Sequence, residues 1–221
     1  YGPTACAGRP TLAEAEAYCA RLARGHYENF TVASLLLPKP LRRHFYNIYA
    51  YCRWSDDLAD ETGDAERSRA LLDWWQRQLE LCFRGSAEHP VFVALGSTID
   101  AFEIPIEPFA NLLTAFRQDQ QVSRYETFDE LLGYCRNSAN PVGRLVLHLG
   151  RCHRPECVKH SDQICTGLQL ANFCQDVAGD WRRGRIYLPQ SSLRAAGVTE
   201  AMLDTGVATP QLRSLVEAEV A

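Results

Sequence analysis

No stretch of the sequence approaches the roughly 18 consecutive apolar residues that a membrane-spanning helix requires, and the opening YGPTACAGRP lacks the apolar core of a secretory signal. Convincing strand alternation is missing too, which argues against a sheet. Basic residues do not dominate: 23 Lys and Arg stand against 27 Asp and Glu, and the net charge of −4 removes the usual reason to expect nucleic-acid binding. There is no GxGxxG dinucleotide fingerprint, no low-complexity tract and no linker. Close CxxC pairs are absent despite nine cysteines, so the cluster Cys152, His153, Cys157, His160 and Cys165 is a weak zinc pattern. Cysteines scattered through apolar helical stretches read as small buried hydrophobes, and a reducing cytoplasm is the expected compartment.

What the sequence holds in quantity is helical periodicity. Thr11 followed by Glu14 makes a capping box, after which Leu12, Ala15, Tyr18, Cys19 and Leu22 recur at helical spacing up to Gly25. Residues 41–61 place Leu41, Phe45, Ile48, Tyr49 and Cys52 on one stripe, and 65–84 do the same with Leu71, Leu72, Trp75, Leu79 and Cys82. Shorter helices are expected over 89–101, 107–118, 127–137 and 142–152, with a long one over 157–181. GRIYLP then breaks the pattern before helical segments at 191–196, at 199–203 and from Gln211. The fold class is therefore all-α, and residues 1–221 read as one domain large enough for a sizeable core. Because the chain opens on Tyr1 and stops at SLVEAEVA within a helical pattern, it is expected to be a fragment.

Two helices end in acidic turns. In RWSDDLADE (53–61), Asp56 and Asp60 are four residues apart and share a helix face, where like charges repel. In NFCQDVAGD (172–180), Asp176 and Asp180 repeat the spacing, with Asn172 one turn earlier. Two such turns facing one another would bind hard divalent cations. Magnesium suits them, because it is commonly held by one or two carboxylates together with substrate phosphates. A diphosphate clamped in this way becomes a better leaving group, and the carbocation left behind needs a dry, aromatic-lined cavity. Phe30, Phe45, Tyr46, Tyr49, Tyr134 and Phe173 lie on or near the same helices, although such aromatics are more often core than cavity lining. Arg53 stands one turn before Asp57, where it could form a helix ion pair or contact a diphosphate. A single acidic turn would ordinarily be a solvated helix end; the second turn is what gives the pair weight.

Three ordered stretches, LLLPKPLRRHFYNIYAYCRWSDDLADE (35–61), DQQVSRYETFDELLGYCRNSANPVGRLV (119–146) and QLANFCQDVAGDWRRGRIYLP (169–189), resemble the squalene and phytoene synthase family of class I isoprenoid synthases. The resemblance implies a helical bundle with a central cavity, whose last helices would lie beyond Ala221, and a magnesium-dependent reaction for which manganese could stand in. By position it makes Asp56 and Asp60 the first metal motif and Asn172, Asp176 and Asp180 the second, with Gln169 lining the same cavity. It makes Arg53 the diphosphate contact and places Tyr134 at the reacting centre, with Phe30, Tyr49, Phe173 and Gln175 against the substrate.

Departures from the family pattern narrow the choice. Gln175 stands where coupling enzymes usually carry arginine, RNSANPVG replaces a YxxGxxG-like segment, and Glu28 and Asn29 lie in HYENF. These features are similar to bacterial hydroxysqualene synthases of hopanoid pathways. The implied reaction ionises presqualene diphosphate and captures the rearranged cation with water, needs no NADPH, and depends on a partner that makes presqualene diphosphate. A lipid product implies peripheral contact with the inner membrane, although no amphipathic basic anchor is visible. The competing expectations are a head-to-head prenyl transferase using two farnesyl diphosphates and a non-catalytic binding relative. The second is weakened by the retention of all four motif aspartates.

Overall fold

In the computed structural model, which describes residues 2–3, 8–25 and 38–219, the acidic helix is the hub. Helix α1 spans Leu12–Gly25, α2 Lys39–Asp60, α3 Ala65–Phe83, α4 Pro90–Phe102, α5 Glu107–Asp119, α6 Phe128–Ser138 and α7 Asn140–Leu149. Helix α8 spans Pro155–Gln175, α9 Val177–Arg182, α10 Gln190–Ala195, α11 Glu200–Asp204 and α12 Pro210–Glu219. Helix α2 packs against α1, α3, α4, α5 and α7, while α8 lies along α7 and touches α6. Among the described residues no strand forms. The only strand-like pairing among them is one parallel bridge between Arg124 and Ile186.

Local chemistry accounts for the helix boundaries. The capping box at Thr11 is present: the Thr11 amide donates to Glu14 Oε2 at 2.9 Å, and Glu14 N–H approaches Thr11 Oγ1 at 3.4 Å. Asp64 caps α3 by accepting from the amides of Glu66 and Arg67. Gly85 follows α3 at φ 73°, a left-handed conformation that glycine adopts without strain. One boundary differs from the sequence reading. The helix expected over 157–181 bends at Asp176, which has φ −100° and ψ 13° and separates α8 from α9. The hydrogen bonds from Asp176 N to Asn172 O (2.8 Å) and from Asp180 N to Asp176 O (2.9 Å) persist, so the three motif residues keep helical register across the bend.

The main core gathers Tyr51, Leu72, Trp75, Leu79, Phe92, Leu95, Phe109 and Leu113 between α2 and α5. Three of its polar side chains are paired. Tyr51 Oη donates to Phe109 O at 2.8 Å, Trp75 Nε1 donates to Ser55 Oγ at 3.0 Å, and Ser55 Oγ donates to Tyr51 O at 2.8 Å. Leaving any of these buried groups unpaired would cost about 1–3 kcal/mol. Phe45 belongs to this core, so it plays the structural role open to it in the sequence. The eight described cysteines are free thiols, and burial pushes those of Cys19 and Cys82 up to about 12, as befits inert core residues.

The long helix α8 is unusual in burying Phe173 alone, with Ile164 and Leu168 each 62% exposed. Its seat on α7 depends on Gly143. A β-carbon there would lie 2.3 Å from Ser161 Oγ and 2.5 Å from Cys165 Sγ, closer than packed atoms tolerate. Gly143→Ala is expected to destabilise the protein by about 1–3 kcal/mol. Adding Ser161→Ala and Cys165→Ala should restore part of the loss in thermal melts. A single variant as stable as the wild type would refute the close-packing account.

Candidate active site

The last two turns of α2 open onto a polar cleft of about 590 Å³ whose wall includes Arg53, Asp56, Asp60, Glu61, Arg183 and Arg185. Asp56 and Asp60 both face it, as their spacing requires. Asp57 turns to Arg53, with Oδ1 2.6 Å from Nη2, while Nη1 of the same arginine lies 3.3 Å from Asp56 Oδ2. Arg53 therefore makes the helix ion pair and also lines the cleft; the two roles are compatible.

The second acidic motif reaches the cleft through arginines. Asp180 is buried, and burial, helped by the charge of Asp176, raises its carboxyl above the usual carboxylate range against the pull of Arg183 and Arg185. Arg183 Nη1 lies 3.9 Å from Asp180 Oδ1. Arg185 crosses to the first motif, donating from Nη2 to Asp60 Oδ1 at 2.9 Å and from Nη1 to Asp60 Oδ2 at 3.3 Å. Asp176 and Asn172 are exposed at the bend, and Gln169 is half-buried one turn before Asn172. Gln175, expected against the substrate, is displaced from the polar cleft. It lines a separate apolar cleft with Cys174, Trp181, Leu203 and Leu212, because its position next to Asp176 turns it to another side of α8.

Next to the acidic residues lies a second hydrophobic cluster containing Tyr125, Tyr134, Phe173 and Tyr187. Phe173 and Tyr187 stack with centroids 4.2 Å apart, and Tyr134 lies 5.6 Å from Tyr187 and 6.2 Å from Phe173. The sequence-expected aromatics Tyr134 and Phe173 are thus brought together, whereas Tyr49 is buried in α2 outside this group. Phe30 lies outside the described residues, as do Glu28 and Asn29.

Three functional candidates escaped the sequence reading: Asp119, Arg185 and Tyr187. Asp119, the last residue of α5, accepts from Tyr134 Oη at Oδ2 (2.8 Å) and from Tyr187 Oη at Oδ1 (3.3 Å). Burial pushes its carboxyl up to about 6, against the bond from Tyr134 and the charge of Arg185. Burial also works against the charged form of Arg185, but its bonds to Asp60 and the charges of Tyr187, Asp60 and Asp119 outweigh that and hold its pKa above normal. Asp119 opens one of the recognised stretches, while Arg185 and Tyr187 sit in GRIYLP. That segment is pinned beside residues 123–126 by Ile186 N–H to Ser123 O (2.9 Å) and Gln190 N–H to Tyr125 O (2.8 Å).

Asp56, Asp60, Asp176 and Asp180 are hard oxygen donors of the kind magnesium takes. Among the described residues no three carboxylates, imidazoles or thiols converge closely enough to hold a metal by themselves. The donor set nevertheless fits an ion that draws its remaining ligands from a diphosphate. The Cys152–Cys165 cluster gathers no metal-holding group either.

A sequence model of the squalene/phytoene synthase family matches residues 23–221. The chain belongs to that family, a class that acts on isoprenoid diphosphates. It is 33% identical over 215 residues to the chloroplastic phytoene synthase of Daucus carota, covering 95% of this chain and 54% of that protein. The crystal structure of squalene synthase HpnC from Alicyclobacillus acidocaldarius superposes with a TM-score of 0.87 at 44% identity, covering 94% of this chain and 78% of that one. A dehydrosqualene synthase solved with a ligand gives 0.85 at 32% identity, over 94% and 72% of the two chains. The all-α isoprenoid synthase fold is therefore the fold of this chain. The chain spans about half the length of the plant phytoene synthases that it matches. No described helix is long and apolar enough to cross a membrane.

Asp119 supplies a test of the site's electrostatics. Its folded pKa of about 6 exceeds that of a free aspartate, so between about pH 4 and pH 6 the folded state binds more protons than the unfolded one. Stability should therefore fall as pH rises through this window, by on the order of 2–3 kcal/mol, and level off above it. Asp119→Asn should flatten this dependence and leave the protein at least as stable at pH 8. A variant retaining the wild-type pH slope in denaturant melts would contradict the assignment.

Proposed function

We propose that the protein ionises presqualene diphosphate and captures the rearranged cation with water, releasing hydroxysqualene and diphosphate. The observation that carries this reading is the junction of a charged, arginine-rimmed cleft with the Tyr125–Tyr134–Phe173–Tyr187 cluster through Asp119 and Arg185. Asp56, Asp60, Asp176 and Asp180 would hold magnesium, with Asn172 as a further oxygen donor. When bound, the ion supplies Lewis-acid neutralisation of the leaving group.

The protein's own groups do the rest. Arg53, Arg183 and Arg185 offer guanidinium donors to phosphate oxygens. The carbon–oxygen bond breaks with its electron pair leaving on diphosphate, and aromatic faces stabilise the cyclopropylcarbinyl cation as it rearranges. Tyr134 and Tyr187 donate their phenolic protons to Asp119, so their oxygens keep lone pairs free for the cation or the incoming water. Water forms the new carbon–oxygen bond, and the proton it loses leaves with the diphosphate. No hydride is required, so NADPH has no part in this reaction. The presqualene diphosphate must come from a coupling enzyme.

Support for a squalene-type substrate comes from the 44% identity to the squalene synthase HpnC, against 33% to the carrot phytoene synthase. Gln175 in place of arginine and the polar NSANPVG segment favour ionisation over coupling. The second reading, head-to-head condensation of two prenyl diphosphates, is favoured by the phytoene synthases among the relatives. Mass spectrometry of products separates the two. Presqualene diphosphate with magnesium should yield hydroxysqualene, and farnesyl diphosphate alone should remain unconsumed; the reverse pattern sinks the proposal. Asp56→Ala and Asp176→Ala should each lower turnover by about 10²-fold or more. Their melting temperatures should stay near wild type, because both side chains are solvent-accessible.

A further inference from the structure

The contact between Arg185 and Asp60 is a two-bond fork, with Nη2 on Oδ1 at 2.9 Å and Nη1 on Oδ2 at 3.3 Å. It takes up both oxygens of a residue that the proposed function counts as a metal ligand. The Arg185 side chain is only 17% exposed, and its charge lies within electrostatic reach of Asp119 and Asp180 as well. One cation belonging to the chain thus sits among carboxylates contributed by α2, α5 and α9. With Arg185 in this place, no three potential ligands among the described residues converge on a common point.

Resting on the reading of this cleft as a magnesium–diphosphate site, we propose that Arg185 binds the diphosphate and, until it arrives, serves as the site's internal cation, so that metal and diphosphate bind cooperatively. A divalent cation on Asp60 would sit a short distance from the Arg185 guanidinium, and their repulsion opposes metal binding for as long as the fork persists. A phosphate offers the same planar guanidinium an equivalent fork. A diphosphate that draws Arg185 away from Asp60 therefore frees a metal ligand at the moment the metal's remaining oxygens become available. The coupling must be reciprocal: metal tightens diphosphate by the factor with which diphosphate tightens metal. It also keeps the clustered aspartates neutralised in the empty site, where their mutual repulsion would otherwise act on the end of α2.

Mn²⁺ binding to the purified protein, followed by electron paramagnetic resonance with and without inorganic pyrophosphate and corrected for the complex formed in solution, tests this directly. In wild type, pyrophosphate should tighten Mn²⁺ at least ~10-fold. Arg185→Gln should bind Mn²⁺ alone more tightly than wild type, and the pyrophosphate effect should shrink to about threefold or less. Arg185→Lys keeps the charge without the fork and should retain only part of the coupling. Variants that lose thermal stability but keep the wild-type ratio would show Arg185 to be merely a structural bridge, overturning the proposal. A wild type in which pyrophosphate leaves Mn²⁺ affinity unchanged overturns it whether or not either variant folds. Because the probe is pyrophosphate, failure to turn over presqualene diphosphate leaves this measurement untouched.

Discussion

Carboxylates gathered at the ends of two helices repel one another, and this repulsion is the constraint on which the site's architecture depends. Asp56, Asp57, Asp60 and Glu61 fall within two turns of α2, while Asp176 and Asp180 flank the bend between α8 and α9. The chain answers with arginines placed where the negative charge is densest. Arg53 serves Asp56, Asp57 and Glu61; Arg183 approaches Asp180; Arg185 bridges from the GRIYLP segment to Asp60. Removing these cations would leave the like charges of the cleft to repel one another uncompensated. The proposed ligand, an anionic diphosphate with its own divalent cations, carries both signs and would match this arrangement.

The second feature follows from where the first one stops. Beyond Arg185 the chain runs directly into Tyr187, and Asp119 at the end of α5 accepts from Tyr187 and Tyr134 together. The charged cleft and the aromatic cluster are thus joined across two residues of one extended segment. A substrate with a diphosphate head and a hydrocarbon body would span that boundary. Asp119 contributes a negative charge behind two phenols whose ring faces are already electron-rich, which strengthens the field felt by a cation in the cluster. Holding that charge under partial burial opposes folding above pH 6, a cost characteristic of sites in which function takes precedence over stability.

Most of the helical frame was legible in the sequence because it rests on periodicity. The stripe through Phe45, Ile48 and Tyr49 and the capping box at Thr11 act within a few residues of themselves. Asp56 and Asp60 were legible for the same reason, since residues four apart share a face wherever the helix goes. Arg185 and Asp119 were not. Their partners lie far away in the chain (Asp60 for one, Tyr134 and Tyr187 for the other), and nothing local distinguishes an arginine after Gly184 from a solvated one. The bend at Asp176 escaped for a related reason. Its hydrogen bonds keep helical register, so periodicity runs through it without interruption.

Gln175 shows how far a position in a motif can be trusted. Adjacent to Asp176 in sequence, it projects from another side of α8 and lines the apolar cleft between α9, α11 and α12. Whatever it contributes to the choice between coupling and water capture, it does not act from the wall of the polar cleft. In the proposed reaction, the residues that shape and wet the aromatic cluster, namely Tyr134, Phe173, Tyr187 and the Asp119 carboxylate that accepts from two hydroxyls, would bear on product choice from the other side of the site. Under that proposal, diphosphate departure and cation fate would rest with different groups of side chains. They meet in the segment from Arg185 to Tyr187, so changes to the cluster can redirect the cation while leaving the ionisation machinery intact.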